Sequence, residues 1–218
     1  MGPLILRDLQ LAWRNKIGLV MGPLFFVIFL TFSVIALGGE PDRMPQLAEP
    51  LIWLGILLSL FLYFPTVFSD DFQDGSMEAV MLSGVSRLNI ASAKTITFFI
   101  LTYIPFLVAI PFAGLTFGLG AERIAAISLS VLFAAPALVI YGVFTGALLG
   151  RQSGAGIFAV LIAAPLLIPI FIFGLSAPQS FMTSGLQSVE FRALASINLI
   201  AIAVGLPAIA AVLNANLE

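Results

Sequence analysis

A cluster of acidic residues between two long apolar stretches holds the side chains of this chain that are best suited to chemistry. Four of the eleven acidic residues lie within nine positions, at Asp70, Asp71, Asp74 and Glu78. The first three form the pattern D-D-x-x-D, and hard oxygen ligands of this kind suit Mg²⁺. In prenyl-transferring enzymes this spacing holds magnesium against a diphosphate. A membrane prenyltransferase is therefore one hypothesis for this chain.

The residues after the acidic cluster favour a different use. Gly75-Ser76 is a turn signal, and the residues that follow predict a short amphipathic helix outside the membrane. Helices that lie on an anionic lipid surface usually carry basic residues, so the acidic flank favours a protein partner. A solvated loop is the alternative. The apolar stripe of the helix consists of Met77, Val80, Met81 and Leu82.

The composition predicts a polytopic membrane protein. Hydrophobic residues make up 61% of the 218 positions and charged residues 9%, a balance that a soluble domain does not show. Cysteine and histidine are absent, which removes the common ligands of zinc, haem iron and iron–sulfur clusters. We therefore expect no cofactor on this chain alone. The scattered basic residues form no patch for nucleic acid.

The apolar runs that surround the acidic cluster predict six spans, at about 20 residues each. Ahead of them, residues 4–16 place Leu4, Leu11 and Trp13 among basic residues, which predicts an interfacial helix with snorkelling bases. Residues 39–50 are predicted to be a stiff polar connection. The predicted spans are 17–38, 51–68, 90–118, 124–150, 157–177 and 194–213.

The distribution of basic residues predicts the orientation. Six of the nine lie on the side that holds the termini, the acidic cluster and the loop 151–156, which places that side in the cytoplasm. Six spans put both termini there. The six are Arg7, Arg14, Lys16, Arg87, Lys94 and Arg151, and the other three are Arg43, Arg123 and Arg192.

Small and polar residues within the spans indicate how the helices pack. Gly142, Gly146 and Gly150 recur every four residues and form a flat face for a close helix contact, either within the bundle or between subunits. No predicted span carries an acid or a base well inside it, and Asn198 is the most central polar residue. Ion-coupled carriers need ionisable groups at membrane depth, so this class is disfavoured.

Several motifs together resemble one known family. They are RDLQLAW (7–13), GEP (39–41), LIWLGILLSL (51–60), DDFQDGSMEAVML (70–82), AK (93–94) and APLLIPIFIFG (164–174). The chain resembles the cytochrome c maturation protein B family, the membrane subunit of the so-called haem exporter of the ABC type. It departs from that family at Glu49-Pro50, where Pro-Gly is common, and at residues 83–86, where a Leu-Pro-rich turn is common.

The resemblance implies an all-α, six-helix ABC-2-type permease in the bacterial inner membrane, with a coupling helix between spans two and three that docks on a separate ATPase subunit. ATP would bind in that partner. Haem is a possible cargo, or the complex releases a haem-loaded periplasmic chaperone from another cytochrome c maturation membrane protein. A second copy of the chain is expected. The ATPase-coupling residues it implies are Asp70, Asp71, Asp74, Gly75, Met77, Glu78, Met81 and Leu82.

Two other classes stay open on the residues alone. A prenyltransferase needs a second aspartate-rich motif, and the loop 151–156, RQSGAG, contains no acid. A passive membrane scaffold needs no ATPase, so co-purification of an ATPase subunit discriminates it. If haem iron were bound, Tyr63, Tyr103 and Tyr141 would be the available ligands, although membrane tyrosines are more often packing residues.

Overall fold

The computed structural model describes residues 1–14, 16–38, 43–150 and 156–215, and this part of the chain consists of helices joined by short turns. The α-helices are α1 (Gly2–Arg14), α2 (Lys16–Ala36), α3 (Met44–Tyr63), α4 (Thr66–Gln73), α5 (Ser76–Leu82), α6 (Arg87–Phe98), α7 (Ile104–Thr116), α8 (Ala121–Leu149), α9 (Gly156–Ser184), α10 (Val189–Ile200) and α11 (Leu206–Ala215). Phe99–Tyr103 and Ala201–Gly205 are π-helical turns, and Gly185–Gln187 is a 3₁₀ turn.

Within the part of the chain that the structure describes, five continuous helical segments are long and apolar enough to cross a membrane. They are Met44–Gln73, Arg87–Thr116, Ala121–Leu149, Ile157–Gln187 and Val189–Ala215. The first predicted span corresponds to α2, which has 21 residues and a length of about 30 Å at 1.5 Å per residue. An all-helical, multi-pass membrane protein is therefore confirmed.

The structure corrects three of the predicted connections. Residues 44–50, predicted to be polar connection, form the start of α3, because Pro45 lies in the first turn, where its missing N–H breaks no hydrogen bond. The acidic cluster begins in α4 and is not a loop. Helix α9 continues past residue 177 and includes Pro178. The predicted motif GEP and residues 151–155 of the RQSGAG loop lie outside the described residues.

Helix α8 forms the centre of the bundle. It is the most buried of the five long segments, and it contacts α3, α4, α7, α9, α10 and α11. Aliphatic side chains fill its interior face, including the fully buried Val131, Leu138 and Val143. Burying this apolar surface provides the packing that positions the other helices around it.

A proline inside the central helix has a hydrogen-bonding partner on a neighbouring helix. Pro136 lies within α8, and a proline inside a helix opens the backbone hydrogen-bond ladder around it. The side-chain amide of Asn198, in α10, donates to the Phe133 carbonyl at 2.7 Å and accepts from the Ala137 N–H at 3.0 Å. These are the two backbone groups that an unbroken helix would join. The most central polar residue of the sequence therefore bridges a kink.

The two π-helical turns also lie next to prolines. Pro105 follows the turn Phe99–Tyr103, and Pro207 follows the turn Ala201–Gly205. Each proline is the second residue of the α-helix that comes next, where its missing N–H is tolerated. The wider turn leaves room for the proline ring next to the preceding carbonyl groups.

Candidate functional site

The acidic cluster and the predicted short helix form a bent extension of α3. Helix α4 follows α3 with only Phe64 and Pro65 between them, and it ends at Asp74. Gly75 has a φ angle of +74°, a left-handed conformation that glycine adopts readily, so the predicted turn is confirmed. The Ser76 N–H donates to the Asp74 carboxylate at 2.8 Å, and α5 begins there.

Four charged side chains form a buried network beside this turn, which we term the charge cluster: Arg7, Asp8, Asp71 and Lys94. The Arg7 guanidinium lies 2.8 Å from Asp8 and 2.9 Å from Asp71. The Lys94 ammonium lies 3.1 Å from Asp8 and also pairs with Asp71. Two bases thus neutralise two acids, which is the condition for holding charges away from water. The cluster joins α1, α4 and α6.

Asp71 is the centre of the charge cluster and is only 6% exposed. Besides the two bases, its carboxylate accepts a hydrogen bond from the Ser76 hydroxyl at 2.9 Å, which adds α5 to the network. Asp71 is therefore buried in the network, whereas Asp70 and Asp74 are exposed. A magnesium ion would need Asp71, but its carboxylate already pairs with two bases and accepts a hydrogen bond from a hydroxyl, so the geometry disfavours the magnesium–diphosphate hypothesis.

The methionines of α5 also face inward, which corrects the predicted contact surface. Met77 is 1% exposed and Met81 is 3% exposed, and both belong to the main hydrophobic core. Leu82 is 81% exposed. Helical periodicity places the three on one side of the helix but does not say which of them its own chain covers. Glu78, in the first turn of α5, lies partly buried.

Arg87 binds the C-terminal end of α5. Its guanidinium donates to the Met81 carbonyl at 2.7 Å and to the Asn214 side chain at 3.0 Å. A carbonyl at the end of a helix has no partner within the helix, so a basic side chain stabilises it. Arg87 thereby links α5 to α6 and α11. We call this part of the molecule, with α1, α4, α5 and the end of α11, the α5 end.

The sequence analysis missed the charge cluster and the role of Arg87. Lys94 counts among the cytoplasmic bases in the predicted orientation, although it lies buried in α6, within the long segment Arg87–Thr116. Arg7 was predicted to snorkel, but it pairs with Asp71, which is 64 positions away. The available signal was a base inside the third predicted span, since an ionisable residue there normally has a partner.

The glycine face of α8 packs against the same chain. A Cβ atom at Gly146 would lie 2.4 Å from the Phe64 carbonyl oxygen, and one at Gly142 would lie 2.2 Å from the Phe64 ring. At Gly150 it would meet the Phe72 ring at 2.6 Å. The predicted close packing is present, and its partner is the α3–α4 segment. These glycines therefore do not supply a subunit contact.

An ion pair also joins two helices at the opposite end of the molecule. The Arg123 guanidinium of α8 lies 2.7 Å from the Glu49 carboxylate of α3. Glu49 lies in one of the two segments at which the chain departs from the pattern of the family it resembles. Its side chain is mostly buried, so this acid has a structural role where that family commonly has proline.

The fold and this site define a class: a multi-pass helical membrane protein whose short helix α5 is fastened to the bundle at one end. The model of the family described as "CcmB protein" matches residues 1–216. The chain belongs to the CcmB family, as its motifs predict.

Curated relatives agree over nearly the whole chain. Heme exporter protein B of Bradyrhizobium diazoefficiens is 29% identical over 216 residues, which cover 99% of this chain and 97% of the relative. The protein of the same name from Paracoccus denitrificans is 29% identical over the full length of both chains. That of Rhodobacter capsulatus is 31% identical over 174 residues, 80% of each chain.

Proposed function

We propose that this chain is the membrane subunit of an ABC-type complex in cytochrome c maturation. It couples ATP hydrolysis by a separate ATPase subunit to haem delivery or to the release of a haem-loaded periplasmic chaperone. The names of its relatives support the link to haem export. Helix α5 and the residues that fasten it support the coupling role.

This proposal rests on the contacts that hold α5 to the bundle at three points. Ser76 and Asp71 hold its start, Met77 and Met81 bury its inner face, and Arg87 holds its end. A push on α5 therefore moves α1, α4, α6 and α11 together. A partner can drive a conformational change only through such a stiff element.

The outer face of α5 is the proposed contact surface for the ATPase. It exposes Ala79, Leu82 and Ser83. Leu82 is a large apolar side chain that the described residues leave almost fully uncovered, and residues of this kind act as anchors when they fill a pocket on a partner.

The same geometry supports a cytoplasmic location for both termini. Arg7 of α1 and Asn214 of α11 contact residues next to α5, so the two terminal helices reach the same end of the molecule. An ATPase acts in the cytoplasm, and the excess of basic residues lies on this side. The α5 end is then the cytoplasmic end in the bacterial inner membrane.

Two of the three tyrosines already serve helix packing. The Tyr103 hydroxyl donates to the Val131 carbonyl at 2.7 Å, and the Tyr63 hydroxyl accepts from the Gly22 N–H at 3.2 Å. Neither phenol oxygen is placed to coordinate iron. We therefore propose that an axial ligand to haem, where one is needed, comes from another protein of the maturation system.

The coupling role predicts that Leu82→Asp releases the ATPase subunit. Loss of a buried apolar anchor at an interface costs about 2 kcal/mol or more, and an aspartate there also has to lose its water. The measurement is co-purification of the ATPase with tagged full-length chain, together with the amount of holocytochrome c in the cells.

The matched control is Leu186→Asp, which changes an exposed leucine at the opposite end of the molecule. It should leave both readouts unchanged. If the Leu82→Asp protein is inserted normally and retains both the ATPase and full maturation activity, α5 is not the coupling element.

A further inference from the structure

A cavity of about 480 Å³ lies between α1, α4 and α6, next to the charge cluster. A water molecule occupies about 30 Å³ in the liquid, so the cavity is far larger than a site for one or two waters. Its walls change character along its length. Asp70, Asp71, Asp74 and Lys94 line one end, and apolar side chains such as Leu62 and Leu101 line the other.

The charges at the polar end do not balance. Arg7 and Lys94 neutralise Asp8 and Asp71 within the charge cluster. Asp70 and Asp74 form no ion pair with any described residue, and their carboxylates accept hydrogen bonds from Ser69 and Ser76. Four acids against two bases leave this end with a net charge of −2, which favours a cationic group.

Thr97 gives a second and independent indication of a ligand. It lines the same cavity one helical turn beyond Lys94, and its side chain is 6% exposed. Its hydroxyl oxygen is buried and has no hydrogen-bond partner among the described residues, although a buried hydroxyl normally has one. A threonine hydroxyl can both donate and accept, so it suits an ester or phosphate oxygen beside a cationic head.

We propose that this cavity binds a lipid whose headgroup carries an ammonium group, such as phosphatidylethanolamine. The ammonium lies between Asp70 and Asp74, the Thr97 hydroxyl bonds to an oxygen of the headgroup region, and the start of an acyl chain contacts Leu62 and Leu101. A soluble cation would leave the apolar end uncovered. Anionic ligands, including the carboxylates of haem, meet repulsion at the acidic end.

The first test is lipid retention by the full-length chain. The protein is placed in nanodiscs of equal parts phosphatidylethanolamine and phosphatidylglycerol, released into mild detergent, and its retained lipids are counted by native mass spectrometry. Wild type should retain phosphatidylethanolamine in preference. Two partly exposed ion pairs account for about a tenfold effect, so the Asp70→Asn/Asp74→Asn variant should retain about tenfold less.

The control variant for this test is Glu122→Gln/Glu190→Gln, which removes two acids at the opposite end of the molecule. It should retain as much phosphatidylethanolamine as wild type. Equal retention of both lipids by wild type, or unchanged retention by Asp70→Asn/Asp74→Asn, would overturn the proposal.

The second test uses the absence of cysteine from the chain. Thr97→Cys supplies a single thiol inside the cavity, and Thr116→Cys supplies one on an exposed surface at the opposite end. Thr97→Cys should react faster with a cationic methanethiosulfonate reagent than with an anionic one, and phosphatidylethanolamine should slow it. Thr116→Cys should show neither effect.

Equal rates with the two reagents at Thr97→Cys, or no protection by phosphatidylethanolamine, would contradict the proposal. The measurement does not depend on folding of an altered acidic end, since Asp70 and Asp74 are unchanged in this variant. It also does not depend on the ATPase. A negative result would leave the proposed coupling role of α5 intact.

Discussion

Lys94 is the residue on which the charge cluster depends most, because its one ammonium group contacts both buried carboxylates. Removing one member of a buried ion network leaves an uncompensated charge, which costs more than the pair itself contributes. The cluster also fastens α4, and hence α5, to the first helix. A change at Lys94 is therefore expected to affect both stability and coupling.

We expect Lys94→Met to destabilise the protein by about 3 kcal/mol or more. The measurement is thermal unfolding of the purified chain in detergent. Asp8→Asn/Lys94→Met, which removes an acid together with the base, should recover part of the loss, because Arg7 can still pair with Asp71. Arg192→Met is the control, since Arg192 is an exposed base outside the cluster. An equal effect of the two single changes would refute the role of the cluster.

At the scale of single residues, the sequence predicted where the turn and the amphipathic segment lie better than it predicted which residues contact one another. The turn at Gly75 and the amphipathic character of residues 76–82 follow from local patterns, and both are present. The inward direction of Asp71, Met77 and Met81 depends on Arg7, on Lys94 and on the core, which come from distant parts of the chain. Periodicity identifies the faces of a helix, but only tertiary packing decides which face is covered.

At the scale of helices, the kink of α8 at Pro136 and the side chain of Asn198 form one unit. The amide bonds to Phe133 and Ala137, the backbone groups on either side of the opening. Without it, two polar backbone groups would lie unpaired within the membrane, where they cannot reach water. Hydropathy predicts both helices from their composition, but it carries no information about this hydrogen-bonded junction.

We expect Asn198→Ala to cost about 1–2 kcal/mol of unfolding free energy, the range for polar contacts between membrane helices. The cost should be smaller in a Pro136→Ala background, because Ala137 can then donate to the Phe133 carbonyl within the helix. A double-mutant cycle of thermal stability measures this coupling. Ser196→Ala, on the exposed side of α10, is the control. Additive effects of the two changes would show that Asn198 and Pro136 are not energetically coupled.

At the scale of the whole molecule, the helices differ in how much of their surface is buried inside the bundle. Helices α9 and α10–α11 are the least buried of the long segments, and their apolar residues face outward. Such faces suit lipid or a second copy of the chain. The glycine face of α8 is occupied by Phe64, Val67 and Phe72 of the same chain, so a subunit contact has to use another face.

We expect the assembled complex to contain two copies of this chain, or one copy and a homologue, beside two ATPase subunits. Native mass spectrometry of the complex gives the stoichiometry. Since the chain has no cysteine, single cysteines report contacts directly: Thr145→Cys, next to the glycine face of α8, should give no intermolecular disulfide, because Thr145 is fully buried within the chain. A complex with one copy and no related subunit would contradict this assembly.

The charge cluster can form only in a fixed order during synthesis of the protein. Synthesis starts at the N-terminus, so Arg7, Asp8 and Asp71 leave the ribosome before Lys94, and until then two acids have one base between them. The network closes only when the helix that begins at Arg87 has entered the membrane. The hydrogen bonds of Asn198 at Pro136 form later still, since Asn198 lies in the last crossing segment. A chain released early therefore carries polar groups that have not yet met their partners.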